Sequence, residues 1–114
     1  EACEFKESFL SITPNITIGL NVDNDHMDYF KTMENLINSF SKFAESTTST
    51  VFYNGDDNNT IKVVSEIDKK LVSFGLNEKN DYIAKDLKEY RGGFFKFSAK
   101  STQYNLLSSI LEVI

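Results

Sequence analysis

Between residues 16 and 45 the hydrophobic period changes from two to about 3.6, and this change limits the possible folds more than any other feature of the chain. Ile16, Ile18, Leu20 and Val22 alternate with Thr17, Gly19 and Asn21, the pattern of a strand with one buried face. Asp23-Asn24-Asp25 then supplies capping side chains. Phe30, Met33, Leu36, Ile37, Phe40, Phe43 and Ala44 follow at helical spacing, which predicts one helix over about 25–45. A strand that feeds a broad amphipathic helix calls for a sheet with a helix layer on it.

The flanking segments extend that picture. Ala2, Phe5, Phe9 and Ile12 mark one helical face, which is favoured over a hairpin turning at Pro14-Asn15. Thr50-Val51-Phe52-Tyr53 reads as a strand, Asn54 to Asn59 as an exposed turn, and Thr60-Ile61-Lys62-Val63-Val64 as a β-branched returning strand. A competing reading runs one helix from Thr60 to Phe74. In the favoured reading Ser65 caps a helix whose inner face is Ile67, Leu71 and Phe74, closed by Gly75 and Leu76. A short helix is expected over 81–90, ended by Arg91-Gly92-Gly93. A strand follows over 94–99, then a last helix from Ser101 with Leu106, Leu107, Ile110, Leu111 and Ile114 on its apolar stripe. The expected fold is α+β: a single small domain over 1–114, with an antiparallel or mixed sheet of about four strands and helices packed on one face.

Composition bounds the function. A chain of 114 residues with 40% hydrophobic residues is long enough for one core and too apolar for disorder. A formal net charge of -5 argues against nucleic acid, whose binders need a basic stripe. No apolar run reaches the roughly 20 residues of a membrane span. The N-terminal residues lack the basic-then-apolar order of a signal peptide, and Cys3 has no internal partner for a disulfide. Together these point to a cytoplasmic protein.

Each chemical constellation has an ordinary structural explanation. Asp23, Asp25 and Asp28 precede the long helix, and Glu34 falls twelfth from Asp23, as in a calcium loop. Met27 and Asp28 stand where such a loop needs a ligand and a glycine, so the carboxylates read as helix N-terminus residues. His26 is the sole histidine, and no nucleophile or second base is nominated beside it. Phe95 and Phe97 echo the aromatic strand of an RNA-binding domain, but acidity favours core packing. Cys3 has only Lys6 as a basic neighbour, and no glycine pattern forms a phosphate loop.

With no catalytic set in view, the expectation is a non-catalytic acidic binding protein with no cofactor and no metal. The concrete form is an immunity or antitoxin-type inhibitor that occludes a basic toxin, for example a nuclease, by electrostatic steering. Its contact residues would be Asp23, Asp25, Asp28, Tyr29, Tyr53, Asp56 and Asp57. The alternatives are a homo-oligomerising adaptor using the apolar C-terminal helix, and a small enzyme or ligand carrier built on His26.

Overall fold

The computed structural model describes residues 3–90, 94–102 and 109–113. It is a mixed α/β arrangement, with a six-stranded sheet in sequential order. The first described element is a 3₁₀ segment, Phe5–Ser11, kinked at Lys6 and Glu7. Then come β1 (Ile16–Gly19), α1 (Met27–Phe30), α2 (Met33–Glu45), β2 (Thr50–Asn54), α3 (Asn58–Val64) and β3 (Lys70–Gly75). The remainder is β4 (Tyr82–Tyr90), β5 (Phe94–Ser101) and β6 (Ser109–Val113).

The first half is parallel. β1 pairs with β2 from Ile16↔Thr50 to Gly19↔Tyr53, and β2 with β3 from Thr50↔Lys70 to Asn54↔Phe74. Parallel neighbours need crossover connections, supplied here by α1 with α2 and then by α3. Crossovers of one hand along a sequential sheet put their helices on one face. The Ser41 hydroxyl of α2 accordingly donates to the Val63 carbonyl of α3 at 2.9 Å. β3 and β4 are also parallel but share only Phe74↔Tyr82 and Gly75↔Ile83, whereas β4–β5 and β5–β6 are antiparallel.

The core lies between the helices and the parallel strands. Val22, Phe30, Leu36, Ala44, Val51, Val63 and Val64 form one buried cluster. Phe9 of the 3₁₀ helix stacks on Phe43 at 4.7 Å and meets Phe40 edge-on at 5.3 Å.

Several expectations are corrected. The helix over 25–45 is two helices. Lys31 has φ 67°, and Thr32 accepts the Asn35 amide at 3.1 Å as a fresh N-cap. The expected strand over 60–64 is helix α3, capped by Asp57, whose carboxylate accepts the Thr60 amide at 2.7 Å. The helices expected over 65–74 and 81–90 are absent; those residues carry strands β3 and β4. The last helix is corrected where it is described, since 109–113 pair with β5 as a strand; 103–108, like Arg91-Gly92-Gly93, lie outside the described residues. The dimerising-helix alternative loses its basis with it.

β1 holds its place but not its orientation. Gly19 faces Thr60 of α3, and Thr17 meets the buried Thr47 hydroxyl at 2.6 Å. Ile16 and Ile18 therefore point away from the helices and are more than half exposed, at 53% and 63%. Period two says that one face is apolar without saying which layer covers it.

Candidate functional site

Past the end of β1 the chain bends sharply before α1. The buried Val22 anchors it, and its carbonyl accepts Asn59 Nδ2 at 2.8 Å. Asp23 then accepts the Asn24 amide through Oδ1, and Asp25 accepts the His26 amide, both at 2.7 Å. His26 sits in the left-handed region at φ 52°, ψ 35°. Its carbonyl receives the Tyr29 and Phe30 amides at 2.9 and 3.0 Å and so starts α1. A non-glycine residue held there is strained, and such strain gathers at functional sites.

The imidazole meets a side chain from the N-terminal segment. His26 Nε2 lies 3.3 Å from Glu4 Oε1, and His26 Nδ1 lies 3.8 Å from Asp25 Oδ1. Both His26 and Glu4 are half-buried, whereas Asp25 is largely exposed. One ligand atom from each of the three lies within 4.8 Å of the others. Two carboxylates and an imidazole form a donor set suited to a divalent cation such as Mn²⁺ or Mg²⁺, with water completing the shell.

Aromatic rings frame this cluster. Phe5 packs against the imidazole at 5.0 Å between centroids, tilted by 48°, and lies 6.4 Å from Tyr29. The Tyr29 hydroxyl donates to Glu7 at 3.4 Å. Partial desolvation, and secondarily the Glu7 carboxylate, push that hydroxyl's pKa up. Beside the cluster opens a cleft of about 480 Å³ whose lining includes Glu4, Asp23, Asp25, Leu20, Tyr53 and Thr60. It lies where β1 and β2 end, the edge at which open parallel sheets bind ligands.

The residues expected to bind a partner separate into two groups. Asp25 joins the cluster, Asp23 and Tyr53 line the cleft, and Tyr29 bonds Glu7. Asp28 is exposed next to His26, and Lys31 Nζ donates to its carbonyl. Asp56 and Asp57 work for the fold. Asp57 caps α3. Asp56 accepts the Leu76 and Asn77 amides and Asn80 Nδ2, the last at 2.9 Å. The Leu76 amide leads in holding the Asp56 carboxyl below the ordinary aspartate range. Glu4 had no signal of its own in the sequence, because its role arises from a tertiary contact.

A mixed α/β sheet whose parallel strands carry crossover helices on one face, with a cleft at their carboxyl ends, defines the open α/β class of domains. Within that class the chain belongs to the Mur ligase middle domain family, which it matches over residues 4–111. It is 41% identical to the UDP-N-acetylmuramate–L-alanine ligase of Caldanaerobacter subterraneus subsp. tengcongensis, over 96% of this chain and 28% of that protein. For the same-named ligases of Caldicellulosiruptor bescii and Clostridium tetani the identities are 35% and 36%, over 96% and 99% of this chain and 24% and 25% of theirs. The chain thus spans about a quarter of the length of these relatives.

Two solved structures share the fold. One is the UDP-N-acetylmuramate–alanine ligase of Thermotoga maritima, with a TM-score of 0.68 and 24% identity over 92% of this chain and 23% of that one. The other is the MurF ligase of the same organism in complex with ADP, with a TM-score of 0.65 and 21% identity over 94% of this chain and 24% of that one.

These findings overturn the inhibitor reading. The curated relatives are enzymes, not immunity or antitoxin proteins, and a basic toxin as partner falls with that reading. The expectation of a non-enzyme is corrected with it. Charge misled because a net -5 reports solubility as readily as a partner. Among the described residues no helix is long and apolar enough to cross a membrane.

Proposed function

We propose that this chain is part of a UDP-N-acetylmuramate–L-alanine ligase, and that its Glu4–Asp25–His26 cluster helps to bind the nucleotide through a divalent cation. The carrying observation is that Glu4 and His26, from separate segments, converge to 3.3 Å at the carboxyl edge of the parallel strands. The ligase part of the reading rests on the 41% identity to a relative of that name.

Joining a carboxylate to an amine needs the carboxylate activated. ADP in the related MurF structure fits activation by phosphoryl transfer from ATP. In such a transfer a carboxylate oxygen bonds to the terminal phosphorus and ADP leaves. The amine then attacks the acyl carbon and phosphate leaves. A divalent cation, when bound, would neutralise phosphate charge. Glu4 and Asp25 would supply anionic oxygens for it and His26 a ring nitrogen. Asp25 also fixes the His26 backbone, and the cleft beside them gives room for a ligand. The reading implies a cytoplasmic enzyme, where ATP and nucleotide sugars are found.

The test uses the whole protein that carries this chain. ADP release should require both UDP-N-acetylmuramate and L-alanine, and Glu4→Gln or His26→Asn should lower kcat by at least about 100-fold, as loss of a charge-stabilising group does. Full turnover in both variants would remove the cluster from the reaction. No turnover by the wild type with these substrates would refute the substrate assignment.

A further inference from the structure

We propose that Phe5 is a positioning residue for His26, holding the imidazole towards Glu4; this inference rests on the cation reading above. Three observations carry it. The Phe5 ring lies 5.0 Å from the imidazole, and the imidazole's Nε2 is the nitrogen facing Glu4. Phe5 is 38% exposed, so it is not placed there by core burial alone. Phe5 is itself braced, since Tyr29 stands 6.4 Å away and the Lys6 ammonium lies over its ring at 5.4 Å.

The backbone on both sides is set for this contact. Lys6 and Glu7 occupy the left-handed region at φ 52° and 56°, immediately after Glu4 and Phe5. Two consecutive left-handed residues cost energy and persist only where the surroundings fix them. The Tyr29 hydroxyl donates to Glu7, so the N-terminal turn that carries Phe5 is tied to α1. The neighbouring Asp25 side chain is largely exposed and meets the imidazole only at 3.8 Å.

Without the Phe5 ring the imidazole regains three staggered χ1 wells and a broad two-fold χ2. That dilutes the cation-ready orientation up to about sixfold. Phe5 touches neither cation nor substrate and acts only through His26.

The experiment is a Mn²⁺ titration of the whole protein by electron paramagnetic resonance, with pulsed detection of imidazole nitrogen coupling. Wild type, Phe5→Ala, Phe5→Tyr, Glu4→Gln and His26→Asn are compared. Ile83→Ala, buried in β4 and away from the cleft, serves as a control for lost stability. Phe5→Ala should bind Mn²⁺ about three- to sixfold more weakly with a heterogeneous nitrogen coupling, and Phe5→Tyr should restore both. Ile83→Ala should leave the affinity of the folded fraction unchanged. Equal affinity and coupling in Phe5→Ala, with Glu4→Gln and His26→Asn impaired, would overturn the positioning role and leave the cation reading standing. A wild type that binds Mn²⁺ no better than Glu4→Gln and His26→Asn would overturn the cation reading itself, and the role of Phe5 with it.

Discussion

Replacing Asp56 with Ala should loosen the turn that joins β3 to β4, and should do so only while the carboxylate is ionised. Three N–H groups converge on that carboxylate. The Leu76 amide and Asn80 Nδ2 make the close contacts, the latter at 2.9 Å, and the Asn77 amide adds a longer one at 3.3 Å. A hydrogen bond to a charged group is worth about 1.5–3 kcal/mol, but Asp56 is exposed and water competes. Roughly 1 kcal/mol for each close contact gives about 2 kcal/mol for Asp56→Ala. Asp56→Asn keeps one acceptor oxygen and should lose about half of that. The Asp56 pKa is lowered in the fold, led by the Leu76 amide. The linked stability is therefore complete above the unfolded aspartate value of about 3.9 and is lost as pH falls through the lower folded value. Urea unfolding of the 114-residue chain should show the full penalty at pH 7 and a shrinking one below about pH 4. Amide exchange at Leu76 should accelerate up to about thirtyfold at neutral pH if it proceeds by local opening. A penalty below about 0.5 kcal/mol at pH 7, or one that ignores pH, would show that the ionised carboxylate does not hold this turn.

Three other substitutions probe the core, the strain and the close packing. Phe9 is 1% exposed between Phe40 and Phe43, so Phe9→Ala should cost about 3–5 kcal/mol in urea unfolding. His26→Gly should be more stable than His26→Ala by up to about 1 kcal/mol in urea unfolding, because both remove the imidazole and only Gly relieves the left-handed strain; equal stabilities would show that the His26 backbone is unstrained. A Cβ at Gly75 would fall 2.6 Å from Asn80 Nδ2 and against the Asp56 carboxylate, so Gly75→Ala should cost about 1–3 kcal/mol and lower the melting temperature.

The elements that were legible are those whose local pattern and tertiary role agree. β2, β5 and the stripe of α2 lie close to where their periodicities put them. α3 was misread because Thr60, Ile61, Val63 and Val64 favour strand, yet the Asp57 cap and the burial of Val63 and Val64 decide for helix. In β3, Leu71 and Phe74 mimic helical spacing, but a strand in the middle of a parallel sheet carries apolar residues on both faces. In β4 the left-handed Asp86 sits within a register shift between Lys85 and Lys88, which breaks the period-two pattern and makes Ile83 and Leu87 look helical. Lys31, at positive φ, splits the long helix, and the left-handed His26 sits at its start; no propensity announces either. Two of the three cluster residues, Asp25 and His26, were visible in a capping region. Glu4 was not, because only the folded chain brings it to the imidazole.

The two-pair junction of β3 with β4 bears on how the molecule comes apart. Backbone pairing there is confined to Phe74↔Tyr82 and Gly75↔Ile83. Side chains supply much of the remaining hold: Asp81 Oδ2 accepts the Ser73 amide and hydroxyl at 2.8 and 2.9 Å, and the Ser73 hydroxyl in turn accepts the Asp81 amide at 2.9 Å. β1 and β2 pair residues 34 positions apart and β2 and β3 residues 20 apart, while separations in the β4–β5–β6 meander fall from 19 at Tyr82↔Ser101 to 4 at Tyr90↔Phe94. Short-range pairings form sooner than long-range ones. Hydrogen exchange is therefore expected to part the sheet at this seam first, with the amides of the meander exchanging as one group and those of the parallel strands as another.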